Sequence, residues 1–242
     1  MSLPRFVLSD SVVPKKNMVV TLGAEQARHL SAIRLSAGDS LELLLSSGPW
    51  RGELTEVAKN RAAIRLVAPV EENREAPIEI HACLPITAQL GLWDEFLPGT
   101  VELGATLIQP VIFERSQYDR QKTEARMERW RRIILAASEQ SHRTRIPDLR
   151  MPISVGILQS WEANQRWIAY EASTEAPNPE FILKKIAFAH GPEGGITDTE
   201  IGMLTNSGWK PITLGKSIIR AATCPAAILG AIQVELGRRQ AI

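Results

Sequence analysis

Of 242 residues only two are cysteine, Cys83 and Cys224, and they lie far apart in the chain. A disulfide framework and a zinc site both need more, so the chain reads as one for a reducing cytoplasm. Histidine is nearly as scarce. His29, His81, His142 and His190 show no ligand spacing, and no metal is expected. No run of about 18 apolar residues occurs, so no membrane span is expected. The opening MSLPRFVLSD lacks the basic start and apolar core of a signal peptide. Repeats at solenoid periods and low-complexity tracts are missing too. Nor does one sign of charge dominate: 28 Lys/Arg against 27 Asp/Glu leave a net of +1, which does not by itself announce a nucleic-acid binder. What remains, 44% hydrophobic and 23% charged residues, describes a soluble globular protein of one large or two ordinary domains.

The charge is unevenly spread. Residues 115–150 hold ten Lys/Arg and five acids, a local net of +5. Such a patch suits a polyanion, and it equally suits a solvated helix face.

Along residues 1–72 the segments PRFVL, NMVVTL, DSLELLLSS, RGELTEVA and RAAIRLVAPV read as short strands separated by turn formers. Together they predict a small barrel or sandwich. One stretch, GAEQARHLSAIRL, has helical spacing at Ala27, Leu30, Ile33 and Leu35. EENREAP, 71–77, reads as a linker, giving domains at 1–72 and 77–242. Beyond it strands (IEIHACLPI, TLIQPVIF, RWIAYEA, ILKKIAFAH, WKPITLG) alternate with helices, which predicts an α/β domain with a mostly parallel, doubly covered sheet. In TEARMERWRRIILAASEQS, Met127, Trp130, Ile134 and Ala137 fall on one helix face, with Arg126, Arg129 and Arg132 mostly away from it.

Two glycine-bearing loops follow late strands. The first, HGPEGG at 190–195, lets a ligand approach bare main chain and runs into Thr197 and Glu200, a capping box that opens a helix. The second, TLGKSIIRAATCP at 213–225, ends where Thr223 and Pro225 suit the start of another helix. Neither has the spacing of a dinucleotide fingerprint or a phosphate loop. Glu193 would repel a polyphosphate and suits a neutral or cationic ligand. Simple tight turns also fit this composition.

The stretches GPEGGITDTEI and GWKPITLGKSIIRAATCPAAILGAIQ resemble the C-terminal signature of the SPOUT methyltransferases that methylate N3 of a uridine in 16S ribosomal RNA, the RsmE-like branch. PRFVL with ARHLSAIRLSAGDSLEL resembles that family's N-terminal PUA-like barrel, and WDEFLPGTVELGATLIQPV and RWRRIILAASEQSHRTRIPDL its middle blocks. The resemblance implies a trefoil knot in the C-terminal half, S-adenosylmethionine as cofactor, a cytoplasmic homodimer as working unit, and 16S rRNA or the small ribosomal subunit as partner. It implies cofactor contacts from Tyr170, Glu171, His190, Gly191, Pro192, Glu193, Gly194, Gly195, Leu214, Gly215, Ser217, Ile218, Ile219 and Thr223. It implies RNA contacts from Arg5, His29, Arg34, Gln140 and Arg143, and a catalytic role for Arg220, whose fixed charge would stabilise the uracil anion.

The chain departs from the family pattern at Ser217, Ala222, Ile86 and Gly99, and in having His190 where an aliphatic residue is usual. Three further readings therefore stay open: a related enzyme with another target nucleotide, an inactive RNA-binding relative, and an unrelated α/β enzyme that binds a nucleotide in the glycine loops.

Overall fold

The computed structural model describes residues 3–8, 13–45, 47–71, 73–178 and 184–240. The chain divides into two compact units, 1–75 with 138–145, and 76–137 with 146–242.

The first unit is a curled sheet with one helix. Its elements are β1 (Arg5–Val7), β2 (Val19–Leu22), α1 (Ala24–Ala32), β3 (Ser40–Leu45), β4 (Gly48–Val57) and β5 (Ala62–Pro69). The strand order is β1-β3-β4-β5-β2, antiparallel except that β1 joins β3 in parallel. Alternation of apolar and polar residues puts Leu41, Leu43, Leu54, Ile64 and Leu66 inside with Phe6 and Leu30. β4 shifts register at Arg51/Gly52 and again at Leu54/Glu56, and such bulges bend a strand. A side chain at Gly52 would collide with Ile64, so the first bend needs glycine. In α1 the helical period holds for Ala27 and Leu30 but fails at Ile33, which is the C-cap and is exposed.

The stretch read as a linker carries an anchor. Glu75 accepts from Arg143 Nη2 at 2.5 Å and from the backbone N–H of Thr144 at 2.7 Å and Arg145 at 3.1 Å. Burial pushes its carboxyl up, but the hydrogen bond and charge of Arg143 and the Thr144 donors together bring it below the usual range. Arg5 makes a parallel bond set: Nη2 to Glu42 at 2.6 Å and Nη1 to the Arg143 carbonyl at 2.6 Å. Residues 138–145 are thus sewn to the barrel by two buried arginines.

The second unit holds β6 (Glu79–Pro85), α2 (Leu92–Glu102), β7 (Leu107–Ile112), most of α3 (Arg120–Gln140), β8 (Asp148–Leu149), β9 (Ile153–Ser154), a 3-10 turn (Val155–Ser160), β10 (Gln165–Ala169), β11 (Lys185–His190), α4 (Asp198–Asn206), β12 (Lys210–Ile212) and α5 (Cys224–Gln240). The sheet runs β12-β10-β11-β6-β7-β8, with β9 also on β7, and every pairing is parallel. β11 and β6, in the middle, are almost wholly buried, as strands covered on both faces must be. On one face Ile186 and Phe188 meet a cluster with Trp93, Trp130 and Ile228; on the other Ala187 and Ala189 meet Val155, Leu204 and Trp209. Trp93 and Trp130 stack at 4.1 Å between centroids. On α3, Met127, Trp130, Ile134 and Ala137 are buried, while Arg126, Arg129 and Arg132 are exposed. Much of the basic patch is neutralised locally, by Arg120–Glu124, Lys122–Asp119 and Arg129–Asp94.

Pro110 sits inside β7, where it has no N–H to give. The neighbouring edge is split to match: β8 pairs Leu107 and Ile108, β9 pairs Val111 and Ile112, and neither pairs the residues between. Gln109 fills the gap by donating its side-chain amide to the Met151 carbonyl at 2.7 Å.

Replacing Glu75 by Ala takes the carboxylate away from a buried arginine. Urea unfolding should report a loss of about 3–5 kcal/mol. Glu75→Leu combined with Arg143→Met should recover most of it, because no buried charge is then left behind.

Candidate active site

β10, β11 and β12 are parallel neighbours, so their carboxyl ends open on the same side of the sheet, where open α/β sheets hold ligands. A cavity of about 650 Å³ lies there, lined by the ends of the three strands (Ala169, His190, Ile212), both glycine loops, and Leu92 and Glu95 of α2. That volume falls in the range of small-molecule sites.

The first loop is built by three devices. Gly195 has φ +78°, open to glycine at no strain, and its N–H closes a turn onto the Pro192 carbonyl at 2.8 Å. Gly191 is needed for space: a Cβ there would lie 2.6 Å from Ile196 Cγ1. Gly194 makes room for a protein side chain rather than for a ligand, since a Cβ would lie 3.1 Å from Arg115 Cβ. Arg115 then donates from Nη1 to the Gly194 carbonyl at 2.8 Å.

Downstream, the capping box read from Thr197 and Glu200 is present. Glu200 does more than cap. It is 5% exposed, its Oε2 accepts from Thr197 N and Oγ1 at 3.0 Å each, and its Oε1 accepts from Glu114 N at 2.7 Å. One carboxylate therefore ties the loop after β7 to the turn before α4.

The second loop turns at Gly215, φ +127°. Its internal bonds are few: Thr213 Oγ1 bonds Gly215 O at 2.9 Å, and Thr223 N bonds Arg220 O at 2.9 Å. Lys216, Ser217, Ile218 and Arg220 are exposed, and Leu214 and Ile219 half-buried. Among the described residues the Arg220 guanidinium has no ion-pair partner. α5 opens at Cys224 with Pro225 in its first turn.

His190 is 2% exposed. Burial pushes its pKa down to about 4, so the ring is neutral. Nδ1 lies 3.0 Å from the Gly191 carbonyl oxygen. Burial also raises the Cys224 thiol on the cavity wall to about 12, leaving it protonated and inert.

The cavity's chemistry fits S-adenosylmethionine. Leu92, Ala169, Ile212 and Leu214 offer apolar wall for a nucleoside, while Glu95, Glu171 and Glu193 supply carboxylates for a cation. Glu193 Oε2 accepts from the Ala88 N–H at 3.3 Å. The cofactor residues expected from the sequence, from Tyr170 to Thr223, all line this one cavity. The expected RNA residues do not share a role: His29, Arg34 and Gln140 are exposed, whereas Arg5 and Arg143 are buried against Glu42 and Glu75. Sequence reading missed Arg115, Leu92 and Glu95. The position of Arg115 just past the carboxyl end of β7 was the available signal.

Comparison with known proteins agrees with this geometry. Residues 74–233 match the family model described as RNA methyltransferase domain. The ribosomal RNA small subunit methyltransferase E of Synechocystis sp. is 32% identical over 227 residues, covering 90% of this chain and 73% of the relative. The protein of that name from Bacillus subtilis is 28% identical over 235 residues, 90% and 91% of the two chains. The crystal structure of a ribosomal RNA small subunit methyltransferase E from Neisseria gonorrhoeae bound to S-adenosyl methionine superposes with TM-score 0.86 at 29% identity, over 96% of this chain and 98% of that one.

Two outcomes follow from the site's construction. In the unfolded chain His190 titrates near 6.5, in the folded one near 4. The unfolded state thus binds the extra proton between those values, and stability is full above pH 6.5 and falls as pH drops towards 4, by about 3 kcal/mol in all. Denaturation midpoints across pH should show this slope in the wild type, and it should flatten in His190→Leu. Gly191→Ala should lower stability by about 1–3 kcal/mol through overpacking on Ile196, and that cost should shrink in an Ile196→Ala background, where the colliding Cγ1 is absent, both read by chemical denaturation.

Proposed function

The chain belongs to the RNA methyltransferase family, and on that premise we propose that it transfers a methyl group from S-adenosylmethionine to N3 of a uridine in 16S ribosomal RNA. The observation that carries the reading is the single cavity at the carboxyl ends of β10, β11 and β12, walled by both glycine loops.

Bound S-adenosylmethionine supplies an electrophilic methyl group on a positively charged sulfonium. This chain's residues supply the setting. Glu95, Glu171 and Glu193 favour a cationic occupant. The first glycine loop lays main chain along the cavity, its turn braced by the bond from Arg115 to the Gly194 carbonyl. Arg220, at the mouth and without an ion-pair partner among the described residues, is the candidate catalytic residue. When N3 of uracil loses its proton, charge spreads to the flanking carbonyl oxygens, and a guanidinium facing them stabilises that anion. Holding base and methyl donor in line supplies much of the remaining gain.

The same reading gives the first unit, a PUA-like barrel, the task of gripping RNA. Exposed His29, Arg34 and Gln140 are its candidate contacts, while Arg5 and Arg143 hold the fold. It includes a trefoil knot in the C-terminal half and a homodimer in the cytoplasm. Exposed Ile218 and Val234 support the dimer as apolar surface that a second copy would cover.

Incubating the protein with labelled S-adenosylmethionine and small-subunit RNA, free or assembled, should yield N3-methyluridine by nucleoside mass spectrometry. A methyl group found on another position would instead support a related enzyme with a different target. RNA binding without transfer would support an inactive relative. Arg220→Ala should lower the transfer rate by roughly 10²–10³-fold while calorimetry finds the cofactor affinity nearly unchanged. Normal turnover in that variant would remove Arg220 from the mechanism.

A further inference from the structure

His190 ends β11 at the floor of the cavity. Side chains on a strand alternate, so His190 faces the same way as Ile186 and Phe188, towards the cluster with Trp93 and Ile228. That is also the side from which Leu92, Ala169, Ile212 and Cys224 reach the cavity. The ring therefore lies on the cavity's side of the sheet, just beneath its floor, and not on the opposite face.

Its tautomer is fixed. The Gly191 carbonyl oxygen, 3.0 Å from Nδ1, can only accept, so Nδ1 carries the hydrogen. Nε2 is left as a bare lone pair. It is buried and has no hydrogen-bond partner among the described residues. A buried acceptor without a donor destabilises the fold, and an aliphatic side chain of similar size would fill the space without that penalty. Nε2 itself serves no other contact in the described structure.

We propose that His190 Nε2 accepts a hydrogen bond from a neutral N–H or O–H group on the nucleoside part of the bound methyl donor, making His190 a recognition residue. The proposal rests on the reading of the cavity as the S-adenosylmethionine site. The adenine amine and the ribose hydroxyls are the two sources of such a donor. The cavity wall at Thr213–Thr223, held by few bonds of its own, is the part that yields as the ligand reaches the floor.

The test uses the full chain with 15N-labelled histidine rings. In the free protein at neutral pH, Nε2 of His190 should resonate as an unprotonated imidazole nitrogen. On adding S-adenosylhomocysteine it should move upfield, with calorimetry on the same sample reporting binding. Binding heat with an unmoved resonance overturns this inference and leaves the cofactor reading standing; no binding heat overturns the cofactor reading and this inference with it. His190→Leu should weaken S-adenosylhomocysteine about tenfold, the loss of one buried hydrogen bond. With S-inosylhomocysteine, which lacks the amine, that difference disappears if the amine is the donor. With a deoxyribose analogue it disappears if a hydroxyl is. Equal affinity of wild type and His190→Leu for S-adenosylhomocysteine would overturn the proposal.

Discussion

One buried carboxylate sets the geometry on which the cavity depends. Glu200 accepts hydrogen bonds from Thr197 on one oxygen and from the Glu114 N–H on the other. A charge at that depth is tolerated because both oxygens have donors. Through the first bond it starts α4 and stops the glycine turn. Through the second it fixes the backbone after β7, and the next residue along, Arg115, reaches the Gly194 carbonyl. The turn is therefore clamped at both ends, by its own helix cap and by a loop from elsewhere in the sequence.

Charge in the cavity is arranged rather than accumulated. Glu95, Glu171 and Glu193 share the lining with Arg115, Lys216 and Arg220. The two signs balance in number, so selection for a cation has to come from where each charge stands. Arg115 is engaged by the Gly194 carbonyl, whereas the exposed Lys216 and Arg220 sit together on the second loop. Lys216 and Arg220 thus make a cationic stretch of the lining suited to a polyanion with a base that becomes negative.

Local rules made some of this legible in the sequence. The Thr197/Glu200 box and the apolar face of α3 depend on spacings of three or four residues, which a sequence displays directly. The antiparallel and parallel sheets followed from the change in rhythm after residue 77. What could not be read were interactions closed by the fold. Arg5 and Arg143 look like free cations until Glu42 and Glu75 arrive from 37 and 68 residues away. Arg115 and Gly194 are 79 residues apart, so nothing near either announces the other. Ile33 continues a helical period past the point where the helix stops. His190 read as part of a loop, and the state of its ring was invisible until the Gly191 carbonyl was placed beside it.

The margins of the seven-stranded sheet have their own significance. One margin is the pair of two-residue strands interrupted opposite Pro110; the other is β12, three residues with Pro211 at its centre. Neither presents a continuous ladder of free N–H and C=O groups on which a foreign strand could build. Parallel sheets assemble slowly from distant segments, and their half-formed intermediates are prone to clump. A proline and a gap at the two borders give this chain protection against fibril growth while it folds, without any residue being set aside for that purpose alone.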